Sequence, residues 1–291
     1  MSIGHQGYIE KLMSQIESMG NALCVGCDPD LTESPAFAQG WFERYGPVSF
    51  LENFSYAMIE TAAGKVPAIK FQSAFYEAWG PEGFRVLQSA IRLAKANRLV
   101  TILDAKRGDI SSTMRAYGEM AFGQMNADAL TVTPYMGTDT VDPLESWLVR
   151  GYGVYLVWVS SNPAGATLQD CRVNNNGELL SSHIYREFAQ FFDKRKISDS
   201  LGLVLGATRV ESIEPNVRAQ IKNNALLMPG VGAQGGIVTD EIRNLIRSKR
   251  TLIPQSRQLS RGSDNLRDWN GMRDHLERNI SIAASDLKVP N

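Results

Sequence analysis

Asp104, Lys106 and Asp109 spell Asp-x-Lys-x-x-Asp where an apolar run, Leu99 to Leu103, gives out. Alternate residues of an extended strand share a face, so Asp104 and Lys106 meet as neighbours beside Val100 and Ile102, while Leu99, Leu103 and Ala105 face the other way. Asp109 falls past the strand, in a loop leading to a helix that begins near Thr113. Charge at the end of a buried strand is costly unless it is paired. Lys70 closes a second apolar run, Val66 to Ile69, a place where lysine is rare. With Asp104, Lys106 and Asp109 it would complete an alternating array of cations and anions. Such an array can be a structural salt-bridge network. It can equally deliver protons, the carboxylates keeping each lysine charged so that it acts as a general acid at neutral pH. For Lys70 alone, a side chain snorkelling to the rim is the plainer account.

A second candidate is an anion site. Gly230, Gly232 and Gly235 spell G-x-G-x-x-G within Met228 to Gly236, a pattern shared with dinucleotide-binding folds. That motif belongs in a first βαβ unit with an acid closing the next strand. Here the next strand, Thr251 to Gln255, ends without one. Bare backbone N–H groups cradling a phosphate explain the glycines better, and a plain turn is the alternative. Arg257 and Arg261 follow directly, and arginine's planar fork suits a phosphate. Arg257 is favoured because it lies nearer the strand.

These residues need elements to position them, and apolar runs alternate with helix-period segments along the whole chain. Strands are expected at Ala22–Asp28, Val66–Phe71, Leu99–Lys106, Ala127–Thr133, Gly153–Ser161, Leu201–Thr208, Ala225–Val231 and Thr251–Gln255. Helices are expected at about Ser49–Ala63, Glu82–Asn97, Thr113–Met125, Asp142–Arg150, Ser182–Lys194, Ile213–Asn223, Thr239–Ser248 and Asp268–Ala284, after a leading amphipathic helix within Met1–Ile16. Eight such repeats predict one α/β domain over residues 1–291, a (β/α)8 TIM barrel, with a doubly wound sheet as the alternative. A barrel requires chemistry at the C-terminal ends of strands, and Asp28, Lys70, Asp104, Lys106, Ser160, Ser161 and Thr208 all fall there. Long connections, Pro29–Val48 after the first strand and Asn162–Ser181 after the fifth, would flank a ligand.

Composition narrows the function classes. The 291 residues carry a formal net charge of −1 with the signs interspersed, which offers no basic stripe for nucleic acid and no polybasic patch for a membrane. No apolar run approaches a spanning helix, and the N-terminus does not read as a signal peptide, so a cytoplasmic location is expected. Three cysteines argue against a disulfide framework. Cys24 and Cys27 form a C-x-x-C, but on a strand they face opposite sides. His5, His183 and His275 are scattered, so no metal site is expected. The glycosylation patterns at Asn53 and Asn279 fall in expected helices.

These residues resemble the orotidine 5′-phosphate decarboxylase family, in its longer bacterial-type branch. The likeness runs through Gly26-Cys27-Asp28-Pro29, Ala68 to Glu77, Asp104 to Thr113, Thr133-Pro134-Tyr135-Met136-Gly137, Ser160-Ser161-Asn162-Pro163, Gly206-Ala207-Thr208 and Pro229 to Gly236. Asp-x-Lys-x-x-Asp alone is shared with related sugar-phosphate barrels. The continuation Asp-Ile-x-x-Thr and the run Pro-Gly-Val-Gly-Ala-Gln-Gly-Gly make the likeness specific. What it implies is cofactor-free decarboxylation of orotidine 5′-phosphate to UMP, closing de novo pyrimidine nucleotide synthesis. Lys106 would then protonate C6, Asp104 would face the substrate carboxylate, and Lys70 and Asp28 would hold the ribose. Asp109, Ile110 and Thr113 would reach the neighbouring site of a homodimer. Ser161 would read the pyrimidine edge, Gln234 would bridge base and phosphate beside Gly235, and Arg257 would hold the phosphate. Where the family has Ser-Arg-Gly after the last strand, this chain has Ser256-Arg257-Gln258, with Arg261-Gly262 beyond. A metal-dependent sugar-phosphate decarboxylase or aldolase, and a phosphate-binding module without chemistry, are the competing readings.

Overall fold

Eight short runs rich in Val, Leu, Ile and Ala are buried on both faces, which only a sheet covered on one side by helices and on the other by itself can satisfy. The structure is a computed structural model that describes residues 6–173, 177–231, 237–260 and 262–290. In it, parallel strands β1 (Leu23–Cys27), β2 (Ala68–Gln72), β3 (Val100–Arg107), β4 (Ala129–Val132), β5 (Gly153–Val159), β6 (Leu201–Leu205), β7 (Ala225–Leu227) and β8 (Thr251–Gln255) close into one barrel, β8 pairing back onto β1. The expected (β/α)8 barrel is therefore the fold, and the doubly wound alternative falls because the sheet has no open edge. Register fixes the interior, since Gly26, Lys70 and Ile102 stand side by side across β1 to β3, and Gln72 stands beside Asp104 one layer higher.

Helix α1 (Tyr8–Met19) plugs the N-terminal end of the barrel. Tyr8 enters it, its hydroxyl 3.0 Å from that of Tyr155 and the two rings edge to face at 5.8 Å. Glycine makes the room: a Cβ at Gly153 would lie 2.4 Å from the Tyr8 ring, and one at Gly202 2.6 Å from Tyr155. Beside this plug, buried Asp128 accepts from the Thr101 N–H at 2.9 Å and hydroxyl at 3.0 Å, and pairs with Lys11 of α1 and with Lys95. Burial alone would raise the Asp128 carboxyl, but the charges of Lys11 and Lys95 overcome it and hold the group below its usual value. One anion thus pins the plug, β3 and the helix before β3 together.

The rim departs from expectation in several places. Pro29–Val48 is not a bare loop, because helix α2 starts at Ala36 and runs to Ala62, broken only at Gly46 (φ 80, ψ 176) ahead of Pro47. Its first arm is held by Phe37 and Trp41, one helical turn apart, whose rings stand 5.2 and 6.2 Å from that of Trp269 at the start of the C-terminal helix. Asn162–Ser181 likewise folds into a short helix, Ala166–Gln169, and a two-stranded ribbon pairing Arg172–Val173 with Glu178–Leu179. The fourth, sixth and seventh strands are shorter than expected, which leaves Thr208 in a 3-10 turn, Ala207–Ser212. The segment expected as one helix from Thr113 to Met125 is an α-helix, α3 (Ser111–Gly118), continued by a π-helical stretch to Gln124. Ile213–Asn223 is divided between a short α-helix and a 3-10 turn.

Removing the pinning charge tests this floor. Asp128→Asn should cost about 2 kcal/mol in urea unfolding, less than breaking a fully buried pair because Lys11 and Lys95 partly reach solvent. Activity at the opposite end should stay within about twofold; an unchanged midpoint would show that the network contributes no stability.

Candidate active site

Three neighbouring strands end in charge at the same level of the barrel. Lys70 of β2 is buried and sits between two carboxylates, its Nζ 3.2 Å from Asp104 and 3.4 Å from Asp28. Asp104 of β3 uses its other oxygen to accept from Lys106 Nζ at 2.7 Å and from the Thr131 hydroxyl at 2.9 Å. Asp28, directly after β1, accepts from the Ser256 hydroxyl at 2.7 Å. Gly26 makes that bond possible, since a Cβ there would fall 1.9 Å from Ser256 Oγ. The order Asp28, Lys70, Asp104, Lys106 alternates in sign. Within the chain the second anion of the expected array is therefore Asp28 and not Asp109.

Electrostatics locks the inner members in their charged forms. Burial favours a neutral Lys70 amine, but the charges of Asp28 and Asp104 outweigh it and hold its pKa above the ordinary lysine value. Burial would likewise raise Asp104, yet Lys70 and Lys106, with the hydrogen bonds from Lys106 and Thr131, bring its carboxyl down to about 2. Lys106 is the outermost of the string, its side chain 44 % exposed towards the cavity mouth. Its backbone is left-handed, at φ 47, which is strained for a residue with a side chain.

A cavity of about 360 Å³ opens over this string and is lined by Asp28, Lys70, Asp104, Lys106, Ser161 and Arg257, among others. A neighbouring hollow of about 330 Å³ shares Asp28, Gln72, Ser256 and Arg257. Arg257, first residue of the turn of helix after β8, thus stands between the two. Because the inner string is neutral as a whole, Arg257 supplies the positive charge a phosphate would need. Ser160 and Ser161 both line the cavity, and Ser160 is also engaged by Gln169, which accepts from its N–H at 3.2 Å and donates to its hydroxyl at 2.8 Å. Thr208 does not line the cavity.

Other expected residues lie elsewhere. The Asp109 carboxylate accepts from the Ile110 N–H at 2.8 Å, and Ile110 and Thr113 point outward, Ile110 being 44 % exposed. Gln234, Gly235 and Arg261 lie outside the described residues, as do the rest of Gly232–Gly236, the Asn174-Asn175-Asn176 stretch and His5. Cys24 and Cys27 face opposite ways, Cys24 towards Lys70 and Cys27 against the Tyr76 hydroxyl at 3.2 Å. Burial pushes both thiols up to about 12, which disfavours the reactive thiolate form. Among the described residues no group of three or more His, Cys, Asp or Glu could hold a metal ion, and no helix is long and apolar enough to cross a membrane.

Sequence reasoning missed Gln72, Thr131 and Ser256. Gln72 was within reach, two residues beyond Lys70 and hence on the same face. A hydroxyl on a strand carries no such signal, so nothing marked Thr131, and Ser256 entered only as the serine preceding Arg257.

The sequence model of the orotidine 5′-phosphate decarboxylase / HUMPS family matches residues 21–252. The chain belongs to that family. It is similar to the orotidine 5′-phosphate decarboxylase of Verminephrobacter eiseniae, at 36 % identity over 86 % of this chain and 87 % of the relative. Likeness to that of Leptospira interrogans is 32 % over 90 % and 91 %. Among solved structures, the OMP decarboxylase of Leishmania donovani superimposes with a TM-score of 0.69 at 28 % identity, covering 96 % of this chain and all of that one. The resemblance drawn from the motifs is borne out. The matched span takes in Asp28, Lys70, Asp104 and Lys106 but stops short of Arg257.

For a decarboxylase of this family the charge string should also be visible in stability. Asp104, depressed in the fold, contributes stability present above the ordinary carboxylate pKa of about 3.9 and lost as pH falls through about 2. Lys70, raised, contributes stability present below about pH 10.4 and lost only as pH climbs through its higher folded value. Lys70→Met should therefore cost about 3 kcal/mol at pH 7, where two carboxylates are left without their shared cation. In urea unfolding from pH 7 to 3 the deficit should shrink on the acid side, as protonation relieves the pair; a pH-independent deficit would assign the loss to packing.

Proposed function

We propose that this site decarboxylates orotidine 5′-phosphate to UMP, the closing step of de novo pyrimidine nucleotide synthesis, without a cofactor. The observation that carries the mechanism is the Asp104 carboxylate, held ionised with Lys106 Nζ at 2.7 Å, at the mouth of a cavity that also holds Arg257. Asp104 faces the substrate carboxylate, so the ground state brings two anions together while Lys106 stands at C6. The C6–carboxylate bond breaks, CO2 leaves, and the electron pair stays on C6 against the Lys106 ammonium. Transfer of a proton from Nζ to C6 gives UMP and a neutral lysine, which solvent reprotonates. A charge present beforehand at the place where charge develops needs no reorganisation, which is the most effective form of electrostatic catalysis.

Binding groups keep that geometry. Lys70 and Asp28 hold the ribose hydroxyls, Ser161 reads the pyrimidine edge, Gln234 bridges base and phosphate beside Gly235, and Arg257 binds the phosphate. Binding energy from the phosphate then serves the transition state at C6. The enzyme works as a cytoplasmic homodimer, in which Asp109, Ile110 and Thr113 complete the partner's site. Support comes from the outer face of the rim, where the Thr140 hydroxyl donates to the Asp109 carbonyl at 2.8 Å. The two adjoining loops there expose Ile110, Tyr135 (88 %) and Met136, apolar side chains that a partner would cover.

Purified protein in EDTA should convert orotidine 5′-phosphate to UMP, followed by the fall in ultraviolet absorbance; folded protein without turnover would sink the proposal. Lys106→Ala should abolish chemistry while UMP affinity stays within about tenfold, because its ammonium acts mainly in the transition state. Inactive Lys106→Ala and Asp109→Ala subunits, mixed and allowed to exchange, should regain about a quarter of the sites, since each mixed dimer has one intact pair. Demonstrated exchange without recovery would place Asp109 in its own chain's site.

A further inference from the structure

Where Lys106 sits, the β3–β4 ladder is interrupted. Leu103 pairs with Leu130 and Arg107 with Val132, so Asp104, Ala105 and Lys106 stand opposite Thr131 alone. Extra residues on one strand leave backbone groups without ladder partners. The Lys106 N–H is such a group, and it donates instead to the Thr131 side-chain oxygen at 2.9 Å. That hydroxyl, 1 % exposed, passes its own hydrogen to Asp104 Oδ1 at 2.9 Å, and the same oxygen accepts from Lys106 Nζ at 2.7 Å. The bonds form a closed ring: Lys106 N–H to Thr131, Thr131 O–H to Asp104, Asp104 to Lys106 Nζ. Both ends of one lysine, its main chain and its ammonium, are therefore fixed through a single buried hydroxyl.

We infer that Thr131 is a positioning residue for the reaction: it holds Lys106 in its left-handed backbone and aims the Lys106 ammonium and the Asp104 carboxylate at the reacting carbon. This rests on the function proposed above. The chemistry demands a side chain that donates and accepts at once, in the volume of a β-branched residue on a packed strand. Valine matches the shape and has neither capacity, and serine has both capacities with less bulk. Because Asp104 loses a donor when the hydroxyl goes, its carboxyl is also less strongly held in the ionised form.

Thr131→Val and Thr131→Ser, compared with the wild type, provide the test. In Thr131→Val, kcat should fall about 30-fold, as expected for a misplacement of about 1 Å or less. KM and UMP affinity should stay within about threefold, and the acid limb of the kcat profile should move to higher pH. Thr131→Ser should recover kcat to within about threefold of the wild type. Unchanged kcat in Thr131→Val would overturn the inference. So would kcat and UMP affinity falling together, or serine failing to rescue while folding normally, because each marks a packing role. If the valine variant does not fold, the serine variant's kcat and pH profile decide alone. An inactive wild type would overturn the inference together with the proposed function, whereas an active wild type beside an equally active Thr131→Val overturns the inference only.

Discussion

Everything at the top of the barrel depends on keeping Lys70 charged where water barely reaches it. An isolated ammonium in that position would shed its proton, since the cost of burying it exceeds any single contact. Two carboxylates, from strands on either side, make the charge permissible. Asp104 in turn tolerates burial because two ammonium groups share its oxygens. No member can be removed without stranding a neighbour, so the string behaves as one unit whose geometry is set by the register of β1, β2 and β3. Its neutrality leaves it without net attraction for an anion, and Arg257 adds a positive charge to the lining of the cavity above.

Two buried carboxylates, Asp104 on β3 and Asp128 directly before β4, stand at opposite ends of the barrel. Asp128, at the N-terminal end, is surrounded by a strand backbone amide, a hydroxyl and two lysines, and lines neither of the hollows described above. Asp104, at the C-terminal end, has the same kind of company and an open mouth above it. The chemistry of the side chains does not by itself separate a structural anion from the catalytic one proposed for Asp104. Position along the strand does, which agrees with the general division of labour in this architecture.

How much of this could be read in advance varied with the kind of signal. Asp104, Lys106 and Lys70 were legible because a strand's alternation dictates which residues share a face, and charge on an inner face is conspicuous. Asp28 was placed at the right strand end, but only three-dimensional register showed that it, and not Asp109, borders Lys70. Spacing along the chain suggested the wrong partner because the loop after Gly108 turns outward. The first arm of α2 was hidden by Gly40, Gly46 and Pro47, whose helix-breaking character outweighed the helical spacing of Phe37 and Trp41. Thr131 was silent because threonine is an ordinary strand residue, and its value lies wholly in what stands opposite.

Lys106 occupies a left-handed backbone position that glycine would adopt without penalty. Selection for a durable fold alone would favour glycine there, and would erase the ammonium with it. If Lys106 acts as proposed, it is a residue at which stability and activity pull in opposite directions. Stabilising substitutions drawn from backbone preference should spare this position and be sought at the floor around Tyr8 and Asp128, where both demands agree.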